Sequence, residues 1–353
     1  MILKILMIDL GSVWGGQEIY SYNLLKSYKS KNYHVISISS QKKFKDIADE
    51  FYEVSNKYTN FLTLAKIIED ISKKVDIVHF NGNRALYLSK ICKKIKPFVG
   101  TKHLPYFVGG KKDFKSNISQ NLGKLLLSNI DNLICVAQAT YDDLPTNIQK
   151  KSTVVYNGVD IGSNKKIENI DGNLKICYIA RFTKHKGIIS VLELVKRLFE
   201  DGITIELSVA GKGELDQYID DFITNNPNLS ITNHGFINSP KDVYENSHLG
   251  ILLSTHEGMP LNILEAFSAG LPFIAYDIPG VDEVIKNNHN GFLLEVNNED
   301  EVFKTIKRLV NDKNLILELS KNANDDYNQK YSLDIMVNNT INIYKSLLNE
   351  NTN

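Results

Sequence analysis

The feature that most constrains the fold of this 353-residue chain is a regular alternation of short apolar runs with longer helix-like stretches. Strand and helix in alternation predict parallel sheets covered by helices on both faces, which is the α/β class with doubly wound sheets. The predicted strands are Ile2–Ile8, Val35–Ser39, Ile77–Phe80, Phe98–His103, Leu133–Val136 and Thr153–Tyr156, then Ile176–Ala180, Ile205–Ala210, Ile231–Phe236, Leu249–Leu253, Phe273–Tyr276 and Gly291–Leu294.

A polar segment without periodicity, residues 162–173, separates the two sets of strands and is typical of a linker. With 42% apolar residues, the chain is long enough to bury two cores. We therefore predict two Rossmann-like domains, residues 1–160 and 161–332, facing across a cleft. Residues 333–353 are predicted to form a C-terminal helix that packs back on the first domain.

The formal net charge is zero, yet the charges are unevenly distributed. Up to Asn157 there are 23 Lys+Arg against 13 Asp+Glu, and from Gly158 onward there are 18 against 28. The lysines of the basic half lack the interleaved arginines and aromatics of a nucleic-acid-binding stripe, so we expect no nucleic acid partner. Two denser lysine patches, at 90–96 and 102–115, leave open a solvated surface or adhesion to anionic lipid headgroups.

The three cysteines do not make a full disulfide set, and Cys135 and Cys177 lie inside apolar runs, as buried reduced thiols would. No apolar stretch reaches the length of a membrane span, and the first residues lack the pattern of a secretory signal. The expected location is therefore cytoplasmic, with peripheral contact at the inner face of the plasma membrane left open.

The most informative motif places two carboxylates, Glu257 and Glu265, on either side of a turn that opens into a helix. Free backbone N–H groups at a helix start favour an anion, and acceptor-only carboxylates suit a polyhydroxylated ligand. The pattern therefore indicates a nucleotide sugar as the ligand. The turn and helix start expected to contact this donor are formed by Gly258, Met259, Pro260, Leu261 and Asn262.

Charged and glycine-rich turns follow other predicted strands. Arg181 directly follows an apolar run and Lys186 begins the next helix, so two fixed cations would lie where a diphosphate leaving group gains charge. Gly15, Gly16 and Gly211 lie in strand-to-helix turns, where a missing Cβ lets backbone approach a phosphate or sugar. The third glycine of a dinucleotide fingerprint is missing, which disfavours an NAD-dependent oxidoreductase.

Two strand-end positions complete the candidate set. His103 ends a first-domain strand at the same sheet edge as the other candidates, and a sugar contact or a purely structural role are both open. Ile237 follows a second-domain strand, where main-chain groups could contact a base edge. His79, also at a strand end, is as well explained as a core histidine.

The segments GGQE, NGVD, ARFTKHKG, AGKGEL, HGFI and EGMPLNILEAFSAGLPFIAYDIPGVDEVI occur in this order. Together they resemble the retaining glycosyltransferases of family four, which have the two-domain GT-B fold, over essentially the whole chain. One departure is Asn81, where many relatives carry a second histidine.

The resemblance implies a role for each candidate. Glu257 would hold donor-sugar hydroxyls, Glu265 the ribose hydroxyls, and Arg181 with Lys186 the diphosphate. In the same way, Gly16 would approach the donor phosphates, His103 a sugar hydroxyl, and Ile237 the base.

We therefore expect a retaining hexosyltransferase that uses a nucleotide-diphosphate sugar, UDP first and GDP as the alternative. The expected acceptor is a saccharide, lipid-linked, in bacterial surface polysaccharide biosynthesis (capsule, O-antigen, lipopolysaccharide or exopolysaccharide). No Asp-x-Asp pair occurs in the sequence, so neither a metal nor another cofactor is expected. A nucleotide-sugar epimerase of GT-B architecture and a catalytically silent partner of another transferase remain the alternatives.

Overall fold

The computed structural model describes residues 2–55, 60–105, 123, 125–163, 165 and 167–350. The chain divides into two compact units. The first consists of Met1–Gly158 and Leu333–Asn353, and the second of Val159–Ser332. Each unit is built around one sheet of parallel strands.

The first unit contains a seven-stranded sheet with helices between its strands. Its strands are β1 (Lys4–Asp9), β2 (His34–Ser39), β3 (Glu50–Glu53), β4 (Ile77–Asn81), β5 (Phe98–Lys102), β6 (Asn132–Cys135) and β7 (Ser152–Val154). Their spatial order is β3-β2-β1-β4-β5-β6-β7, and every neighbouring pair is parallel. The order reverses between β1 and β4, which is where open α/β sheets bind ligands at their carboxyl ends.

Helices cover this sheet because their apolar residues recur at helical spacing. The described helices of the unit are α1 (Gly16–Ser30), α2 (Phe61–Ser72), α3 (Gly82–Leu88), α4 (Gln138–Asp142) and α5 (Thr146–Gln149). In α2, Leu64, Ile68 and Ile71 are buried on one face, and the side chain of Asn60 caps the first turn by accepting from Leu62 N. These residues join strand side chains such as Phe80 in one core.

The last helix described in the chain belongs to the first unit. It spans Leu333–Glu350, and we label it α12 because six helices of the second unit precede it. Its Tyr344 hydroxyl lies 2.5 Å from His79 Nδ1 and accepts a hydrogen bond from the Tyr28 hydroxyl at 3.1 Å. All three side chains are buried, so α12 is fixed to β4 and α1 by polar as well as apolar contacts.

The second unit repeats the same architecture with a six-stranded parallel sheet. Its strands are β8 (Leu174–Ile179), β9 (Ile205–Ala210), β10 (Ser230–Asn233), β11 (Leu249–Leu252), β12 (Phe273–Tyr276) and β13 (Gly291–Leu294), in the order β10-β9-β8-β11-β12-β13. Its helices are α6 (Ile188–Glu200), α7 (Asp216–Asn225), α8 (Lys241–Glu245), α9 (Leu261–Ser268), α10 (Glu299–Asn311) and α11 (Lys313–Asp326). Here the strand order reverses between β8 and β11.

The predicted fold class is confirmed: both units are Rossmann-like, with parallel sheets and intervening helices. The sequence missed β3, because its residues Glu50–Glu53 are half polar and pair only at the sheet edge. The predicted strands Thr153–Tyr156 and Ile231–Phe236 end two and three residues too late, since Val155, Tyr156 and Phe236 are apolar or aromatic residues of the loops that follow. Within the lysine patch at 102–115, Lys111, Lys112 and Lys115 lie outside the described residues. No helix in the described part is both long and apolar enough to cross a membrane.

Candidate active site

The donor-site residues predicted in the second unit gather at the carboxyl edge of its sheet. Arg181 and the turn Lys184–Lys186 follow β8, and Glu257 lies in the loop after β11. Because β8 and β11 are the neighbouring strands between which the order reverses, both loops emerge at the switch point of the sheet. A cation-rich loop therefore lies beside a loop that carries a carboxylate.

Lys186 and Glu257 form a direct ion pair at this edge. Lys186 Nζ donates to Glu257 Oε1 at 2.5 Å, and the two side chains are only 15% and 8% exposed. Removing either partner would leave a charge with little access to water, which is costly. The sequence predicted both residues but assigned them to different parts of the donor; the structure brings them into contact.

The backbone around Lys186 is fixed by the residues that directly follow β11. The carbonyl of His185 accepts hydrogen bonds from Ser254 Oγ at 3.1 Å and from Thr255 N at 3.0 Å. Gly187 has a φ of +76°, and a Cβ there would lie 2.1 Å from the carbonyl oxygen of Leu253. Only glycine fits such a close approach, so this turn sets the position of the Lys186 side chain.

Arg181 is exposed at the end of β8 and makes no ion pair within the described part of the chain. Its positive charge nonetheless affects the neighbouring His185. The pKa of His185 is lowered by burial first, and then by the positive charges of Lys186 and Arg181. The turn is therefore electropositive, with the guanidinium of Arg181 available to a ligand.

The loop before α9 is held by a close backbone contact. Gly280 has a φ of +88°, and a Cβ on it would lie 1.6 Å from the carbonyl oxygen of Gly258. Met259 and Pro260 are buried, and Pro260 precedes the helix in extended conformation. No side chain caps α9, so the N–H groups that begin with Leu261 are available to an anion.

Glu265 and Asn262 are linked by the buried hydroxyl of Tyr244. This hydroxyl lies 3.0 Å from the carbonyl oxygen of Asn262 and 3.3 Å from Glu265 Oε2. Burial raises the pKa of Glu265 to about 7, while the Tyr244 hydrogen bond acts in the opposite direction. The Asn262 side chain donates to the carbonyl of Ile179 at 2.8 Å, so it ties α9 to β8.

Gly211 directly follows β9, whereas Ile237 lies in the loop four residues after the end of β10 and not at a strand end as predicted. A Cβ on Gly211 would lie 1.9 Å from the carbonyl oxygen of Ala180, so close packing between strand ends explains the glycine. Gly211 N donates to the carbonyl of Gly235 at 2.8 Å. Ile237 follows in the same connection and is partly buried. A contact of either residue with a donor stays a prediction.

In the first unit, Gly15 and Gly16 form the start of α1. Gly15 N donates to Glu18 Oε2 at 3.0 Å, so the first turn is closed by a carboxylate of the same helix. The helix begins at Gly16, as the sequence indicated. Gln17, the next residue, donates through Nε2 to Asp9 Oδ1 at 3.1 Å.

His103 belongs to a buried polar network at the carboxyl edge of the first sheet. Its Nε2 lies 2.8 Å from Asn81 Oδ1, and Asn81 Nδ2 donates to Asp9 Oδ2 at 2.9 Å. Burial, with the charge of Lys102 as a second cause, lowers the pKa of His103 to about 3. Burial also raises the pKa of Asp9, although four hydrogen bonds oppose this. The imidazole is therefore neutral at physiological pH.

His79 proves to be a core histidine. Its Nδ1 faces the Tyr344 hydroxyl at 2.5 Å and its Nε2 faces Thr101 Oγ1 at 2.7 Å, and the ring is fully buried. Burial first, and His103 second, lower the pKa of His79 to about 3. With both nitrogens occupied, this side chain cannot contact a ligand.

Two features of these sites were not predicted from the sequence. Asp9 directly follows the predicted strand Ile2–Ile8 and was not a candidate, although a buried acidic residue after four buried apolar positions is itself a signal of a site. Tyr244 lies on α8, a five-residue helix without a motif, so no sequence pattern pointed to its contact with Glu265.

Comparison with known proteins identifies the family of the chain. The family model for group 1 glycosyl transferases matches residues 160–326, and the model for glycosyltransferase family 4 matches residues 14–163. A capsular polysaccharide biosynthesis glycosyltransferase of Staphylococcus aureus, CapM, is 24% identical over 68% of this chain and 68% of its own. The UDP-Gal:alpha-D-GlcNAc-diphosphoundecaprenol alpha-1,3-galactosyltransferase of Escherichia coli is 27% identical over 75% of this chain and 73% of its own.

A solved structure shares the fold. The crystal structure of Anabaena Alr3699/HepE in complex with UDP-glucose superposes with a TM-score of 0.80, covering 98% of this chain and all of that chain at 18% identity. The two family models together span most of the sequence, and both described units have the architecture that this neighbour shows. The chain belongs to the group 1 glycosyltransferases of family 4, with the GT-B fold.

Proposed function

We propose that this glycosyltransferase moves a hexosyl or N-acetylhexosaminyl group from a nucleotide-diphosphate sugar to a saccharide acceptor, with retention of the anomeric configuration. The observation that carries this proposal is the Lys186–Glu257 ion pair beside the uncapped start of α9. A cation, a carboxylate and free N–H groups at one sheet edge match the diphosphate and hydroxyls of an activated sugar.

The diphosphate is the part of the donor that needs fixed positive charge. As the sugar–phosphate bond breaks, negative charge develops on the leaving phosphate oxygen, and preorganised cations stabilise it. Arg181 is exposed and makes no described ion pair, so it can bind phosphate oxygens without breaking a contact. The ammonium group of Lys186 would donate hydrogen bonds to both Glu257 and the phosphate.

The carboxylates are proposed to recognise hydroxyl groups. Glu257 would accept from the donor sugar, and Glu265 from the ribose, because both are acceptors when ionised. Ile237 would contact the base through its backbone. In the first unit we assign Gly16 to the phosphates and His103 to a sugar hydroxyl. We favour UDP as the nucleotide, since the Escherichia coli relative is named for UDP-Gal and the Anabaena protein was crystallised with UDP-glucose. GDP is the alternative.

The proposed reaction has no covalent enzyme intermediate. The acceptor oxygen forms its bond to the anomeric carbon on the face from which the diphosphate departs, and its proton passes to the leaving phosphate oxygen. The protein aligns the two substrates and supplies Arg181 and Lys186 as counter-charges. With these cations in place, we propose that transfer requires no divalent metal.

The proposed acceptor is lipid-linked and belongs to bacterial surface polysaccharide biosynthesis. The names of the Staphylococcus aureus and Escherichia coli relatives, together with the basic first half of the chain, support this. Exposed apolar side chains such as Leu62 and Ile91 accompany the lysines of this half. They would favour contact with an anionic membrane surface. Failure to bind anionic liposomes at low salt would remove the membrane part alone.

The test of function combines a donor screen with a transfer assay. Nucleotide sugars are first ranked by thermal shift, because a ligand at 100 times its dissociation constant stabilises by about 2.7 kcal/mol. The selected donor is then incubated with a saccharide acceptor, and free nucleotide diphosphate is measured with and without EDTA. An Arg181→Ala, Lys186→Ala double variant is expected to lose at least about 100-fold in kcat. Near-normal turnover of this variant would contradict the proposal.

A further inference from the structure

A network of hydrogen bonds in the first unit joins the side chains of Asp9, Asn81 and His103. Asp9 ends β1, Asn81 ends β4 and His103 follows β5, so three neighbouring strands contribute at one edge. Asp9 and Asn81 are direct partners in the strand register. The network therefore lies at the point where the strand order of this sheet reverses.

The Asp9 carboxylate is fully satisfied by donors. Oδ1 accepts from Gly11 N at 3.0 Å and Gln17 Nε2 at 3.1 Å, while Oδ2 accepts from Ser21 Oγ at 2.6 Å and Asn81 Nδ2 at 2.9 Å. Four donors match the acceptor capacity of an ionised carboxylate. Asp9 is also fully buried. It therefore has no capacity left for a ligand and acts through its partners.

The orientation of the Asn81 amide follows from these contacts. One end of the amide faces Asp9 Oδ2 and the backbone carbonyl of Gln17 at 3.2 Å, and both of these groups only accept hydrogen bonds. That end must be the NH₂ group, whichever way an amide might otherwise be placed. The carbonyl oxygen Oδ1 then faces His103 Nε2 at 2.8 Å.

The tautomer of His103 is set in turn. Because Asn81 Oδ1 accepts, His103 Nε2 must carry the proton, and a neutral imidazole then has its lone pair on Nδ1. Nδ1 has no hydrogen-bond partner among the residues that the structure describes. The imidazole ring of His103 makes an edge-to-face contact with the ring of Tyr20, with the centroids 5.0 Å apart, and this contact fixes the imidazole plane. His79, in contrast, has both nitrogens occupied.

We infer that Asp9 and Asn81 are positioning residues that fix His103 as the Nε2–H tautomer and leave Nδ1 as an acceptor for a ligand hydroxyl. That the ligand is the donor sugar rests on the function proposed above. An acceptor nitrogen at this place selects an O–H group and disfavours a carboxylate or an acyl oxygen. A uronic acid with its carboxylate at the contacted position would therefore be rejected.

The tautomer can be measured without any assumption about function. In protein labelled with ¹⁵N-histidine, the two ring nitrogens of a neutral imidazole give distinct shifts for the protonated and the bare nitrogen. The His103 signals are assigned by their loss in His103→Gln. We expect a single Nε2–H tautomer in the wild type at pH 7.5. A wild-type His103 that is Nδ1–H, mixed or doubly protonated would overturn the proposal, even if variants of Asp9 and Asn81 failed to fold.

Variants of Asn81 and Asp9 distinguish a role in positioning His103 from a role in packing alone. Asn81→Leu and Asp9→Asn are expected to give a mixture of His103 tautomers and a fall in kcat of roughly 10-fold or more. The matched control is Asp326→Asn, which disturbs a buried Asn–Asp pair of the second unit, Asn290 Nδ2 to Asp326 Oδ2 at 2.8 Å. The control should leave the tautomer unchanged. A pure Nε2–H tautomer in folded Asn81→Leu would overturn the proposal.

Donor binding provides the second readout. A nucleotide sugar is expected to shift the Nδ1 signal of His103, whereas the nucleotide diphosphate alone is not. If no nucleotide sugar binds the wild type, the proposed function fails while the tautomer assignment stands. If a sugar donor binds and is transferred but Nδ1 does not respond, the acceptor role of His103 is refuted and the function stands.

Discussion

Replacing Glu265 with Gln should stabilise the protein at alkaline pH while weakening donor binding. Burial raises the pKa of this carboxyl from its ordinary value of 4.5 to about 7. The folded protein therefore retains a proton that the unfolded chain loses between these two values. As pH rises through this window stability falls, and the full cost of burying the charge is present above pH 7.

The magnitude follows from the size of the shift. A change of one pKa unit corresponds to about 1.4 kcal/mol, so the shift from 4.5 to about 7 sets an upper value of about 3 kcal/mol. Gln has the same shape without the charge, and its NH₂ group can donate to the Tyr244 hydroxyl oxygen. Because the side chain keeps some contact with solvent, we expect a gain of about 1–3 kcal/mol at pH 8.

Urea unfolding of wild type and Glu265→Gln at pH 8 and pH 4.5 measures this difference. The gain should be present at pH 8 and nearly absent at pH 4.5, where the carboxyl is protonated in the folded protein and half protonated in the unfolded chain. In parallel, the nucleotide affinity of the wild type should increase as pH rises through 7. The ribose hydroxyls proposed to contact Glu265 would donate hydrogen bonds to its ionised carboxylate. The variant should bind more weakly and without that pH dependence. An equal gain at both pH values, or none at pH 8, would refute the reasoning.

Other positions give independent predictions. Gly280→Ala should weaken nucleotide binding at least about 10-fold and cost about 1–3 kcal/mol in stability, because a Cβ would collide with the Gly258 carbonyl at positive φ. Gly172→Ala, also at positive φ but in open space, is the control, and equal effects of the two in calorimetry and titration would contradict this account. Tyr344→Phe should lower unfolding free energy by about 1–3 kcal/mol in urea titration, since it leaves buried His79 Nδ1 without its partner. An unchanged midpoint would show that this hydrogen bond does not stabilise α12.

Much of the fold could be predicted because buried parallel strands leave continuous apolar runs. Lys4–Asp9 and Phe273–Tyr276 are buried along almost their whole length, so each reads as an unbroken run. Glu50–Glu53 lies at the sheet edge and has only two aromatic residues between two glutamates, so it lacks the continuous apolar run by which the other strands were predicted. The ends of strands were less predictable, because apolar residues continue past the last ladder hydrogen bond.

The candidate site was predictable where a motif marks it and not where contacts cross the sequence. Arg181 and Glu265 could be named from local patterns, since Arg181 follows a strand and Glu265 lies about one turn into a helix. The Lys186–Glu257 pair joins residues 71 positions apart, so only the structure reveals it. The contact of Tyr244 with Glu265 and that of Asp9 with Asn81 depend likewise on which strands become neighbours.

The central claim is that fixed cations at the carboxyl edge of the second sheet bind the diphosphate of the donor. Its most direct test is the affinity of UDP relative to uridine, and of GDP relative to guanosine, in wild type, Arg181→Ala and Lys184→Ala. Arg181 is exposed and makes no described ion pair, so its removal should leave folding intact, while Lys184 is an exposed cation of the adjoining turn. We predict that Arg181→Ala reduces the ratio of nucleotide to nucleoside affinity at least about 10-fold and that Lys184→Ala changes it little. If Arg181→Ala has the same ratio of nucleotide to nucleoside affinity as the wild type, the claim is contradicted.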